Sequence, residues 1–89
     1  MLTRELTINN KSGLHARPAS LWVQTASQFR SKIKIKRGDA SVDGKSILGI
    51  LSLGLSTQSM FELLVEGEDE TEAVAALEKL MLDLENQDR

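Results

Sequence analysis

The 89-residue chain has no cysteine, a single proline, a single histidine and only three aromatic side chains, Trp22, Phe29 and Phe61. Without cysteine there is no disulfide and no thiolate metal site, and secretion gains no support. A lone histidine with no local carboxylate cluster speaks against a zinc centre. Neither metal nor cofactor is therefore expected. No stretch approaches the roughly 20 apolar residues that a membrane span requires, and Arg4 and Glu5 interrupt the first residues before they reach signal-peptide length. A soluble cytoplasmic protein without membrane insertion is expected. A chain this short makes one domain, residues 1–89, and buries only about 60–65% of the surface its unfolded form exposes. It has no room for a deep substrate cavity, so any chemistry must lie on the surface.

Net charge is only −2, yet it is unevenly spread. Residues 1–45 hold nine Lys/Arg and three Asp/Glu, net +6, whereas residues 46–89 hold two and ten, net −8. Lys32, Lys34 and Lys36 alternate with Ile33 and Ile35, which places the three ammonium groups on one face of a strand. That pattern is expected of a sheet with one solvated face. A nucleic-acid surface is not favoured, because the chain is acidic overall and its three aromatics occupy positions that read as core. The basic half is suited to steering acidic partners.

Punctuation divides the chain into seven elements, with no repeat, low-complexity tract or linker. Alternation predicts strands at about 3–9, 31–37, 40–43 and 60–66. Helical spacing predicts helices at about 16–28, 46–53 and 70–84, the second closed by Gly54. In the last helix Ala73, Leu77, Leu80 and Leu84 form an apolar stripe flanked by Val74 and Met81. Asp69 followed by Glu72 reads as a capping box, in which the first carboxylate would satisfy an orphan N–H. Glu68, Asp69, Glu70 and Glu72 therefore read as helix electrostatics rather than as a catalytic cluster. The order β-α-β-β-α-β-α predicts an α+β fold with an antiparallel sheet and its helices on one face.

The most informative segment is Gly13-Leu14-His15-Ala16-Arg17-Pro18-Ala19-Ser20. Asn10-Lys11-Ser12-Gly13 is turn chemistry. Pro18 is tolerable only in a first helical turn, so the helix should start near Ala16 with His15 as its N-cap. A helix N-terminus offers unpaired N–H groups to an anion, guanidinium forks onto phosphate oxygens, and neutral imidazole is a nucleophile. Together they form a site at which His15 could carry a phosphoryl group, with Arg17 beside it. Spacing alone also allows a surface cap next to a solvated arginine.

The short helix carries more apolar surface than a core needs. Ile50 and Leu53 lie within about 60° of each other and can both face the sheet. Ile47, Leu48 and Leu51 occupy a separate arc, which extends the apolar coverage to roughly 220°. That arc is expected to be an exposed docking patch, unless a neighbouring loop covers it. Ser46, after Asp43-Gly44-Lys45, reads as the N-cap of this helix.

These motifs, together with Val23-Gln24-Thr25-Ala26-Ser27-Gln28-Phe29, Gly44-Lys45-Ser46-Ile47 and Gly67-Glu68-Asp69-Glu70, resemble the HPr family. Its members are the histidine-containing phosphocarriers of the bacterial phosphoenolpyruvate-dependent phosphotransferase system. The resemblance runs from about Thr3 to about Leu84, with motifs in family order. It implies an open-faced β-sandwich, a four-stranded antiparallel sheet under three helices. It further implies that His15 accepts a phosphoryl group from enzyme I on Nδ1 and passes it to an enzyme IIA domain for sugar uptake. Arg17 would steady the phosphate and Ser46 would be the regulatory serine, with HPr kinase/phosphorylase a further candidate partner. Partners would grip the short helix and the histidine edge, where Ser20 stands in place of the more usual threonine. Gln58 replaces a common glycine and Met60 a frequent polar residue. Two alternatives share these residues: a carrier of the nitrogen branch with regulatory output, and a Ser46-controlled binding module. The expected protein is a monomeric carrier rather than an enzyme.

Overall fold

The computed structural model describes residues 1–10, 13, 14 and 16–87. The elements are β1 (Leu2–Thr7), α1 (Ala16–Ala26), β2 (Lys32–Arg37), β3 (Ala40–Asp43), α2 (Ile47–Ser52), β4 (Met60–Glu66) and α3 (Glu70–Gln87). The strands form one sheet in the order β1-β4-β2-β3, and every neighbouring pair is antiparallel. All three helices cover one face. The fold is thus the expected α+β open-faced sandwich.

Register decides which side chains meet the helices. Leu6 pairs with Phe61, while Ile35 pairs with Leu63 and Val42. These rows, with Ile33 and Val65, point into a core completed by Trp22 and Ala26 of α1, Ile50 of α2, and Ala73, Leu77 and Leu84 of α3. Trp22 meets Phe61 edge to face, with ring centroids 5.7 Å apart and planes at 79°, a preferred aromatic geometry. On the other face Lys32 stands opposite Glu66 and Lys36 opposite Glu62, while Lys34 lies between Leu64 and Asp43. The lysine ladder is therefore a solvated strand face flanked by carboxylates on the adjoining strands.

Element boundaries differ from the sequence reading where distant bonds claim the ends of β1 and β2, where α1 tightens locally, and where α3 runs on. Ile8 does not continue β1. Its N–H donates to Ser59 O at 2.9 Å and its carbonyl accepts from Gln58 N–H at 2.6 Å, so the chain turns to the α2–β4 connection. α1 ends at Ala26 because the next turn tightens, with Gln28 N–H and Phe29 N–H donating three residues back to Thr25 and Ala26. Ser31 is withdrawn from β2 by Asp69, as described below. α3 instead continues past Leu84 to Gln87.

Gln58 has φ of +71°, the left-handed region that favours glycine. The residue that departs from the common glycine thus adopts a glycine's conformation, and its N–H holds Ile8.

Candidate functional site

α1 opens with Ala16, Arg17 and Pro18, and its first turn contains no acidic residue. Pro18 causes no loss there, because N–H groups in a first turn have no intrahelical acceptor. His15, the expected N-cap and phosphoryl acceptor, lies outside the described residues. Leu14 is buried, and its N–H donates to Leu55 O at 2.8 Å. Gly13 has φ of +65°, and a Cβ on it would fall 2.7 Å from Leu55 O and 2.8 Å from Ser56 Cα. Only glycine fits this close approach. Arg17 is exposed, Ser20 is half-buried on the same helix, and Arg17 makes no ion pair among the described residues.

α2 follows a tight turn in which Lys45 N–H donates to the Asp43 carboxylate at 2.9 Å and Ser46 N–H to Asp43 O at 3.1 Å. Ser46 is the N-cap, with extended backbone (φ −112°, ψ 118°) and its hydroxyl accepting Gly49 N–H at 3.1 Å. Lys45 reaches away, donating through Nζ to Phe29 O at 2.7 Å beyond the end of α1. At the other end of α2, Arg37 donates to Leu53 O and Gly54 O, both at 2.8 Å. Nothing in the Lys-Ile alternation of β2 marks Arg37 as this cap; only the fold brings it there. Ile50 and Leu53 are buried, whereas Ile47, Leu48 and Leu51 are 40%, 81% and 38% exposed. This contiguous apolar surface lies on the helix whose exit, Leu55, holds Leu14. Ser46 stands at the far end of that helix, about 9 Å along its axis for six residues. No hydrogen bond or ion pair joins it to Arg17 among the described residues.

The start of α3 corrects the capping-box reading. Asp69 occupies the N-cap position, and its carbonyl accepts Ala73 N–H at 2.9 Å. Its carboxylate, however, does not turn to its own helix. One oxygen accepts Arg30 N–H at 2.9 Å, while the other accepts both the N–H of Ser31, at 3.0 Å, and its hydroxyl. The Ser31 hydroxyl, and then the Arg30 N–H, hold the Asp69 carboxyl below its ordinary value of 3.8, against a smaller opposing effect of burial. Glu70, rather than Glu72, makes the local bond: its carboxylate accepts Gly67 N–H at 3.2 Å and lies 3.4 Å from the Met1 ammonium. A partner distant in sequence outcompetes the local one because Ser31 offers two donors at once.

Among the described residues no group of three or more His, Asp or Glu is placed to hold a metal ion, and no helix is long and apolar enough to cross a membrane. The geometry is that of a surface site. The start of α1 carries an arginine and no carboxylate, and α2, which packs against α1, is an apolar helix capped by a serine.

Known proteins share this arrangement along nearly the whole chain. Residues 2–83 match the family model described as the PTS HPr component phosphorylation site. Phosphocarrier protein HPr of Treponema pallidum is 44% identical over 80 residues, covering 90% of this chain and 91% of that protein. The HPr-like protein Crh of Bacillus subtilis is 42% identical over 80 residues, again 90% and 91%. The crystal structure of an HPr from Thermoanaerobacter tengcongensis superposes with a TM-score of 0.92 at 46% identity, covering 97% of both chains. With the sheet order, the glycine-marked entry to α1 and the serine-capped α2 all in place, the chain belongs to the HPr family, the phosphocarrier proteins of the phosphotransferase system, and is a carrier rather than an enzyme in its own right.

Proposed function

We propose that His15 is the phosphoryl acceptor, taking the group from enzyme I and delivering it to an enzyme IIA domain. One observation carries this reading: the only histidine directly precedes a helix whose first turn holds an arginine and no carboxylate. The helix N-terminus and Arg17 concentrate positive charge at this end of α1, which suits the arrival of an anionic phosphoryl group. As the Nδ1–P bond forms, the bond from phosphorus to the donor breaks. The same exchange runs in reverse geometry on delivery. The N–H groups and guanidinium then favour the phosphate. Their hold must be moderate, since a carrier has to release what it accepts. Positioning is most of what such in-line transfer requires.

The docking surface is the arc of Ile47, Leu48 and Leu51, with Ser20 of α1 a further interface residue. Ser46 is the regulatory position. A phosphate there would meet the positive end of α2 without disturbing the fold, yet would stand next to the apolar arc and oppose its desolvation. The chain acts as one HPr-like domain over residues 1–89, monomeric and cytoplasmic, without a cofactor.

Incubation with phosphoenolpyruvate and enzyme I tests the central claim. Wild type should acquire an acid-labile, base-stable phosphate. His15→Ala should acquire none while retaining its melting temperature to within the effect of a cap exchange, about 1 kcal/mol. Labelling of His15→Ala would remove His15 from this role.

A further inference from the structure

Asn10 is buried (2% exposed) in the turn that leads to the proposed phosphoryl acceptor, where an apolar or a fully satisfied side chain would be the ordinary choice. Its Nδ2 donates to Gly13 O at 2.8 Å, and its backbone carbonyl accepts Gly13 N–H at 3.2 Å. Its Oδ1 has no partner among the described residues. The donor half of the carboxamide is thus used, and the acceptor half is buried without a hydrogen bond to any described residue.

The bond that Asn10 makes has a particular place. Gly13 C=O and Leu14 N–H belong to the same planar peptide unit. Asn10 holds the oxygen edge of that plane, and Leu55 O holds the hydrogen edge at 2.8 Å. Behind it, Leu55 O and Ser56 Cα close on Gly13 so tightly that no Cβ could enter. A peptide plane held on one edge can rock about the other, whereas one held on both edges cannot. This plane is the last but one before His15.

We infer that Asn10 is a positioning residue for phosphoryl transfer: its side-chain amide locks the Gly13–Leu14 peptide plane and so fixes the direction in which the chain delivers residue 15 to its partners. The inference rests on His15 being the acceptor. It assigns Asn10 no contact with phosphate. Its effect should therefore fall on the transfer step and not on docking, because the apolar arc of α2 is untouched. In-line transfer tolerates little misplacement, and an error of about 1 Å can cost up to a hundredfold.

Steady-state phosphorylation by enzyme I and phosphoenolpyruvate separates these effects. Asn10→Ala should lower kcat about tenfold, with KM for the carrier unchanged within twofold. Asn10→Asp keeps the shape but has no donor at neutral pH, and should be impaired at least as much. Asn10→Ser, whose hydroxyl can still donate, should recover part of the loss. Val74→Ala, a core truncation in α3 remote from the site, serves as the stability control and should keep wild-type kcat below its own melting temperature. Wild-type kcat in both Asn10→Ala and Asn10→Asp, or a change in KM alone, would overturn the inference. So would an equal fall in kcat for Val74→Ala. Should Asn10→Ala fail to fold, the isosteric Asn10→Asp decides the question. Labelling of His15→Ala in parallel would instead overturn the acceptor assignment, and the inference with it; loss of label there with normal Asn10 variants overturns the positioning role alone.

Discussion

The helices α1 and α3 begin in opposite ways. α3 starts with Glu70 and Glu72 in its first turn, a carboxylate that caps Gly67 N–H, and an aspartate bonded across to Ser31. α1 starts with no acidic residue and with Arg17. Both ends carry the same partial positive charge and the same orphan donors. One is neutralised by the protein's own anions and contributes stability. The other is left positive and reinforced, which suits it to an anion that comes and goes. A carrier has to forgo some helix stability at its site, because a resident carboxylate would hold the place the phosphate is to take.

The sharpest way to break this contrast is to give α1 the chemistry of α3. Arg17→Glu should reduce the rate of transfer from enzyme I by about a hundredfold, comparable to the loss of a donor that stabilises developing negative charge. Stability should change by no more than about 1 kcal/mol, and in the favourable direction, since an acidic first turn suits the dipole. A variant with wild-type transfer would show that the start of α1 takes no part in holding phosphate.

A smaller effect is expected at the third helix start, that of α2. Ser46→Asp retains an N-cap acceptor, so the protein should be at least as stable as wild type. The added charge beside Ile47 and Leu48 should slow phosphorylation by enzyme I roughly tenfold through weaker docking. Equal rates at matched concentration and physiological salt would leave Ser46 a helix cap only.

At α3 the effect should be on stability alone. The Asp69 carboxyl is held below its ordinary value of 3.8, so the ionised form is favoured by folding. Its contribution is fully present above that value and is lost as pH falls through the lower, folded-state value. Thermal unfolding of Asp69→Asn should therefore depend less on pH below about 4 than that of wild type, with transfer at neutral pH unchanged. Parallel pH profiles for the two proteins would mean that the Ser31 and Arg30 bonds do not favour the charged form.

The smallest change concerns the strap that joins the approach of α1 to the exit of α2. Gln58→Gly relieves a left-handed backbone at the cost of unfolded-state entropy, for a net gain of about 0.5–1 kcal/mol. Transfer should be unaffected. A lower melting temperature would show that the glutamine side chain contributes more than its backbone costs.

The parts of this molecule legible in its sequence are those governed by neighbours a few residues apart. Alternation in Lys32–Arg37 and Met60–Glu66, the apolar stripe of the last helix and the Ser46 cap follow from periods of two and 3.6 and from turn chemistry. The division of α2 into a buried pair, Ile50 and Leu53, and an exposed arc follows from the same geometry. The GLHARPAS segment could be singled out as a candidate site because histidine, arginine and helix start all lie within eight residues.

Bonds that compete over long separations could not be read in this way. The Asp69–Glu72 spacing predicted a local capping box, but Ser31, 38 residues away, provides two donors and takes the carboxylate. Arg37 caps a helix 16 residues on, and Leu55 fixes the peptide plane before His15 from beyond α2. The sequence by itself determined the elements and their order, because each depends on local periodicity and residue type. Only the tertiary structure decided the sheet order, the partners of Asp69 and Arg37, and the clamp on Gly13–Leu14, because a polar group takes the best donors that folding brings within reach, wherever they lie in the chain.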